Sequence, residues 1–180
     1  MLIGQLITDK YKPRSSFSLT FSGNLVHFGD GGFTPGAESH LWIHLKPRAG
    51  LGLFAGTTGM AGDNTGENAE NGISEKVGLS YFGANIILKY SGTPGVNSWF
   101  SWGLGFGSVK REERMVFHHS DGSVEVNEEK SSEKIPGMTM KAGLDIPVTR
   151  HLQIVTDVGI LLIGGFNTAF QLGFKYTTGG

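Results

Sequence analysis

The residues whose types could perform catalysis stand together at 117–121, where two histidines, a serine and an aspartate follow one another. A histidine, a hydroxyl and a carboxylate can form a nucleophilic triad. A triad is assembled in space, however, and successive residues of a strand point to opposite sides. The Asp121-Gly122 dipeptide is typical of a tight hairpin turn. We therefore interpret this segment as the tip of a surface hairpin and predict no catalytic residues and no enzyme.

Oxygen ligands for a cation are concentrated between Asp63 and Glu70. The segment lacks the regular spacing and final glutamate of an EF-hand loop, and the adjacent His118 and His119 would point apart on a strand. The glycines of 103–107 lack the spacing of a dinucleotide motif. We expect neither metal nor cofactor. The absence of cysteine excludes thiol chemistry, and the formal net charge of −1 argues against nucleic acid as a partner.

The segment from Asn97 to Val109 shows which kind of element positions the polar residues, because large and small residues alternate along it. A period of two is that of a β-strand. A soluble sandwich strand would expose charges on its polar side, whereas a transmembrane barrel strand has one apolar lipid face and one small or polar lumen face. The predicted lipid-facing residues here are Phe100, Trp102, Leu104 and Phe106.

The same alternation recurs in the ranges 16–25, 41–53, 77–90, 138–146, 152–162 and 170–176. The last range adds Phe170, Leu172 and Phe174 to the predicted lipid face. A bulge is expected at Pro47, and a weaker apolar run at Leu2–Thr8 would be the first strand. The fold class predicted is all-β, an eight-stranded antiparallel up-and-down transmembrane β-barrel forming one domain over residues 1–180.

Connection lengths distinguish the two ends of this barrel, because bacterial barrels have short periplasmic turns and longer external loops. We expect a polar loop at about 56–74 and a charged extramembrane hairpin at about 110–135 on the outside. The segments 9–15 and 164–167 are assigned to the same side. The segments 29–38, 91–96 and 147–151 are expected to be periplasmic turns.

Charged and polar residues fall on the lumen side of these strands. They are His44, Lys46, Arg48, Lys89, Lys141, Asp145, Asp157 and Lys175. The interior of an eight-stranded barrel is just wide enough to be filled by side chains. Unpaired charge there would be costly, so we predict a hydrogen-bonded ion-pair network that plugs the barrel. The surplus of basic residues leaves open a second interpretation, a narrow pore that repels cations.

With this pattern the chain resembles the small outer-membrane barrels of the OmpA/OmpX-like class. The resemblance covers nearly the whole chain and is most specific at Ala169–Tyr176, which is similar to the closing strand of that class. In the family the terminal aromatic is usually the last residue, whereas Thr177–Gly180 follow it here. The resemblance implies location in the bacterial outer membrane, contact with the lipid bilayer, and a role in anchoring, adhesion or small-solute passage.

Four functions are weighed on this basis. The leading hypothesis is a monomeric, non-enzymatic outer-membrane barrel with a structural, anchoring or surface-interaction role through its external loops. A narrow small-solute channel has the same fold. A lipid-modifying barrel enzyme would resemble lipid A deacylases through the His118-x-Ser120 pair, which that family places on a membrane strand near its C terminus. A soluble lipocalin-like barrel would carry glycine and serine where charges are expected on the solvent face.

Overall fold

The computed structural model describes residues 16–28, 32–46, 48–63, 71–93 and 95–178. Their regular structure is β. The strands are β1 Ser16–Phe28, β2 Phe33–Lys46, β3 Ala49–Thr58, β4 Ala61–Asp63, β5 Asn71–Thr93, β6 Val96–His118, β7 Val124–Pro147, β8 Leu152–Leu162 and β9 Phe166–Thr178. Within these ranges no helix is long and apolar enough to cross a membrane.

The strands form a closed ring in which each strand pairs with its neighbours in the chain. The sheet order is β3-β2-β1-β9-β8-β7-β6-β5-β4, and a further pairing of β3 with β5 closes it. Every pairing is antiparallel. The three-residue β4 only continues the β3 edge along β5, so eight strands make the barrel wall. The predicted fold class is confirmed.

One of the eight predicted strands, the range 41–53, is wrong, although the number of strands in the wall is right. The range 41–53 forms the β2–β3 hairpin, in which Ile43 pairs with Leu51, instead of one strand with a bulge. The alternation concealed this turn because the two paired residues lie on the same side of the sheet, so the pattern continues through it. The run Leu2–Thr8 lies outside the described residues, and the ring closes without it because β1 pairs directly with β9.

The corrected strands change which connections share an end of the barrel. The connections 46–49, 93–96 and 147–152 gather at one end, which we call the short-turn end, together with the start of β1 and the end of β9. The connections 28–33, 58–71, 118–124 and 162–166 lie at the other, the extended end. The assignment of segment 29–38 to the short-turn side is therefore wrong, and residues 33–38 of it belong to β2.

The barrel exposes apolar side chains and buries polar ones. On β1, Phe17 and Phe21 are exposed while Ser18 and Thr20 are almost fully buried. The same alternation continues along β9. This distribution suits a wall that contacts lipid and encloses a polar interior. The lipocalin-like alternative is wrong, because it requires the apolar side to face inward.

Three strands continue far beyond the rest of the wall at the extended end. β8 has 11 residues, about the length that a tilted strand needs to cross the hydrocarbon core. β5 and β6 have 23 residues each and β7 has 24. A dozen extra residues add about 40 Å of strand. We call this part, residues 71–78, 110–118 and 124–134, the extension.

Candidate functional site in the barrel lumen

The carboxylate of Glu38 on β2 is the centre of the lumen network. Lys141 of β7 forms an ion pair with it, and the imidazole of His40 lies against the same oxygen. The Tyr81 hydroxyl donates a hydrogen bond to the other carboxylate oxygen. Asn24 Nδ2 donates to the Tyr81 oxygen over 3.4 Å. These side chains are buried, so four strands are tied together at this level of the barrel.

Glu38 was missed because the segment 29–38 was assigned to a turn, and His40 because the next predicted strand began only at Leu41. The signal that could have found them is parity. Trp42 and His44 are buried and alternate with the exposed Leu41, Ile43 and Leu45. Counting back in steps of two from Trp42 reaches the inward positions of both missed residues.

A second ion pair lies nearer the short-turn end. Lys175 Nζ of β9 contacts the carboxylate of Asp145 on β7, and both side chains are buried. The indole nitrogen of Trp99 donates to the other oxygen of Asp145 over 3.0 Å. This aspartate therefore has two charge-stabilising donors, which is how a buried carboxylate is best accommodated.

Hydrogen bonds extend this network to the barrel wall. Lys89 Nζ lies 3.4 Å from Nε2 of His44, which is 2.8 Å from the Ser18 hydroxyl. That hydroxyl is 2.9 Å from the hydroxyl of Thr177. Strands β1, β2, β5 and β9 are thus connected by side chains inside the ring.

Of the eight predicted lumen residues, six lie inside the barrel. Asp157 is buried there, and Oδ1 of its carboxylate makes no hydrogen bond to a described residue. The side chain of Lys46 lies outside the described part of the chain. The assignment of Arg48 to the lumen is wrong, because the β2–β3 turn places it on the exposed surface of the short-turn end.

The expected surplus of basic charge is absent from the described lumen. Three lysines face three carboxylates there. They are Lys89, Lys141 and Lys175 against Glu38, Asp145 and Asp157. A cation-repelling pore would need unbalanced positive charge along its wall. The described interior therefore does not support that interpretation.

Apolar side chains fill the lumen between this network and the extended end. The buried cluster consists of Val26, Phe28, Phe54, Leu79, Tyr81, Val109, Leu161, Ile163 and Ala169. The space beside Gly107 of β6 is occupied, since a Cβ added there would meet Ile163 and would lie 3.2 Å from Leu79 Cδ1. Asn85 and Thr139 occupy the space beside Gly103 in the same way. The glycines of β6 thus admit neighbouring side chains.

The predicted lipid-facing residues lie on the outside of the ring with different exposures. Phe100 is half-buried, and the other six are exposed, from 39% for Trp102 to 65% for Leu172. The Trp102 indole nitrogen lies 2.9 Å from the sulfur of Met138 on the neighbouring strand. Together with exposed apolar residues of the intervening strands, such as Leu144 and Val158, these side chains form an apolar belt on the outer surface.

The hairpin tip has the geometry of a turn. The Ser123 amide and hydroxyl donate to one Asp121 oxygen over 2.9 and 2.6 Å, and these bonds hold the pKa of that carboxyl below its ordinary range. His119 pairs with Glu125 over 3.3 Å. Gly122 has a φ of +84°, which favours glycine. Across the described residues, no three His, Asp or Glu side chains are grouped to hold a metal ion.

No protein-family model matches the chain, and no curated protein sequence is significantly similar to it. Solved structures are similar. The outer membrane protein OprG from Pseudomonas aeruginosa is 9% identical, with 93% of this chain and 98% of that chain covered and a TM-score of 0.60. The fold is that of a small outer-membrane β-barrel.

Two further structures show the same fold. The N-terminal β-barrel domain of Pseudomonas aeruginosa OprF is 14% identical, covers 93% of this chain and 100% of its own, and has a TM-score of 0.57. Ail, the attachment invasion locus protein of Yersinia pestis, was solved with the heparin analogue sucrose octasulfate. It is 16% identical, with 91% of this chain and 97% of that chain covered, and the TM-score is 0.50. These structural neighbours are bacterial outer-membrane barrels.

Proposed function

We propose that this chain is a non-enzymatic barrel of a Gram-negative outer membrane that anchors the extension and presents it at the cell surface. The short-turn end then faces the periplasm and the extended end faces outward, as in bacterial barrels. The apolar belt, including Phe100 and Phe174, contacts acyl chains. The buried network of His44, Lys89 and the two ion pairs fixes strand register and fills the lumen.

The filled lumen is the observation that carries this proposal. A conducting barrel needs a continuous polar path, whereas here a cluster of buried apolar side chains lies between the ion pairs and the extended end. Outside the barrel the extension presents a polar surface, which is exposed at every residue of 124–134 on β7. A chain built in this way delivers a surface to the outside rather than a passage through the membrane.

A surface partner of the extension is a further part of the proposal. Its support is the exposure of residues 118–134, where every described side chain is exposed. The neighbour Ail, with the same fold, carries a sulfated ligand in its structure. The narrow-channel alternative draws support only from the polar part of the lumen, which lies toward the short-turn end.

The experiment is refolding of the purified chain followed by planar-bilayer recording. The folded chain should migrate faster than the heated chain in an SDS gel, should fold only with detergent or lipid, and should show no discrete conductance. A soluble and monodisperse protein in detergent-free buffer would contradict the membrane location. Discrete conductance steps from the pure protein would contradict a filled lumen and favour the channel.

A further inference from the structure

The two faces of the extension are defined by continuity with the barrel wall. β6 pairs with β5 and β7 from Asn97 to His118 without a bulge along β6. Side chains therefore keep alternating between the lumen side and the lipid side as the strands leave the barrel. Val109 is buried in the apolar cluster and Ile135 packs against it, which fixes the lumen side. We call the two sides of the extension its inner face and outer face.

Charge is sorted between these two faces. The outer face carries five basic and two acidic residues, namely Lys76, Lys110, Arg114, Lys130 and Lys134 with Glu112 and Glu128. The inner face carries one basic and five acidic residues, namely Arg111 with Glu75, Glu113, Glu125, Glu129 and Glu133. A chain with a net charge of −1 thus presents a basic surface on the side of the extension that continues the lipid belt.

The two basic residues closest to the lipid belt are Lys110 and Lys134, whereas Lys76 lies level with Lys130. Farther out, Lys130 pairs with Glu112 over 3.3 Å and Arg114 with Glu128 over 3.8 Å. By contrast, no described carboxylate lies within 4.0 Å of the ammonium group of Lys76, Lys110 or Lys134.

Register places two of these lysines just above the belt. Phe106, 58% exposed, is its last large apolar residue on β6. Lys134 pairs with Ser108, two residues farther along, and Lys110 is four residues farther. Those separations are about 7 and 13 Å along the strand, which places both ammonium groups within reach of the headgroup region that borders the hydrocarbon core. Ser108 and Ser132 add hydroxyls between them, 3.0 Å apart.

A groove of about 230 Å³ opens beside Lys110 on this surface. Its lining combines Lys110, Glu112, Lys130 and Ser132 of the outer face with Arg111 and Ser131, which have the parity of the inner face. Ammonium groups and hydroxyls are donors that suit phosphate oxygens.

We propose that the outer face binds the phosphate groups of a phosphorylated glycolipid in the surrounding leaflet, with Lys110 and Lys134 as its principal contacts and Lys76 supporting them. This inference rests on the proposed function, which places the extended end outside. The partner is a lipid, because the cationic surface is continuous with a belt that holds acyl chains. Free phosphate would contact the cationic surface but would leave the adjoining apolar belt unused.

The test measures glycolipid bound per folded chain. The full chain is refolded in a lipid-free neutral detergent, titrated with a bisphosphorylated diglucosamine glycolipid, separated by gel filtration, and assayed for bound lipid. Each lysine at a charged lipid surface contributes about fivefold in affinity, so Lys110→Gln/Lys134→Gln should bind roughly 25-fold more weakly. Lys110→Arg/Lys134→Arg should retain binding.

The matched control removes the same charge from the opposite end. Arg48→Gln/Arg150→Gln changes two exposed residues of the short-turn end, and its binding should equal that of the unmodified chain. The unmodified chain should bind the dephosphorylated glycolipid as weakly as Lys110→Gln/Lys134→Gln binds the phosphorylated one. Excess inorganic phosphate should not displace the lipid, and 0.5 M salt should weaken binding.

The outcomes separate this inference from the proposed function. Equal binding by the unmodified chain and Lys110→Gln/Lys134→Gln, or equal binding of the dephosphorylated glycolipid, overturns the inference while leaving a folded barrel. Binding of a sulfated polysaccharide without binding of the phosphorylated glycolipid assigns the surface to another class of ligand, and this outcome also overturns the inference. A chain that shows no heat-shifted gel migration in detergent overturns the proposed function as well.

Discussion

Replacing Glu38 by alanine tests whether the buried network stabilises the barrel. The change leaves the Lys141 ammonium, in a side chain that is 1% exposed, without its ion-pair partner. It also removes the acceptor of the Tyr81 hydroxyl. Breaking a buried pair by removing one partner costs about 3–5 kcal/mol. We expect the free energy of unfolding of Glu38→Ala to fall by about that amount.

The chain offers a matched pair on its surface. Glu112 and Lys130 are the same residue types 3.3 Å apart, with side chains 44% and 66% exposed. An exposed pair contributes roughly 0–1 kcal/mol, so Glu112→Ala should change stability by no more than that. The comparison isolates burial, because the removed group is the same in both variants.

A second-site change separates loss of the pair from loss of packing. Glu38→Ala/Lys141→Met removes both charges, and replacement of a buried pair by apolar groups is often close to neutral. The double variant should therefore recover most of the stability lost by Glu38→Ala. The remaining deficit, about 1 kcal/mol, comes from the Tyr81 hydroxyl, whose proton loses its acceptor while its oxygen still accepts from Asn24.

The assay is urea unfolding of the chain in phosphatidylcholine vesicles, followed by tryptophan fluorescence. Trp42 and Trp99 are buried in the lumen near the network and report directly on its opening. The reasoning is refuted if Glu38→Ala is destabilised no more than Glu112→Ala. It is also refuted if the double variant is less stable than Glu38→Ala, because removing the unpaired Lys141 ammonium should restore stability if that charge causes the loss.

Three further predictions concern the wall, the lumen and the hairpin. Leu172→Arg at the middle of β9 should lower the free energy of unfolding in vesicles by about 2–4 kcal/mol, because the charge lies deep in the membrane. Phe166→Arg at the end of the strand should lower it by only about 0–1 kcal/mol. Equal losses in the two variants would contradict this difference. Gly107→Val should prevent the heat-shifted gel migration because its Cβ collides with the apolar cluster. Gly23→Val should fold, because nothing lies within 4 Å of a Cβ added there. If both variants fold, the lumen is not filled beside Gly107. The lowered pKa of Asp121 stabilises the hairpin turn above the ordinary carboxyl pKa of about 4 and ceases to do so as the pH falls through the lowered value, so the protection of the Ser123 amide against hydrogen exchange should drop in acid. In Asp121→Ala that protection should be low at every pH, and a pH-dependent loss in this variant would assign the effect to another group.

The wall of the barrel could be predicted from sequence because parity determines which face a residue takes. A one-residue slip would exchange the lipid and lumen faces of a whole strand, so the pattern is strongly constrained. The exposed Leu104 and Leu172 and the buried Lys141 and Lys175 all lie on the predicted sides.

Ion-pair partners could not be predicted, because parity gives the face of a residue but not its height in the barrel. Glu38 and Lys141 are 103 positions apart in sequence, and their meeting depends on how every intervening strand is staggered. The β2–β3 turn, hidden by continuous alternation, sets part of that stagger. Pro35 and Gly36 also suggested a turn, although both lie within β2 and pair with β1.

Length alone makes β5, β6 and β7 unusual during assembly as well as in the finished barrel. Between 110 and 134 the chain carries twelve formal charges, and in the proposed orientation insertion from the periplasm would carry this segment across the hydrocarbon core. Such a transfer is far costlier than that of the connection 162–166, which has no charged residue. In the proposed orientation the same charges oppose the return of the hairpin through the hydrocarbon core, so they help to retain the barrel in the orientation in which it was inserted.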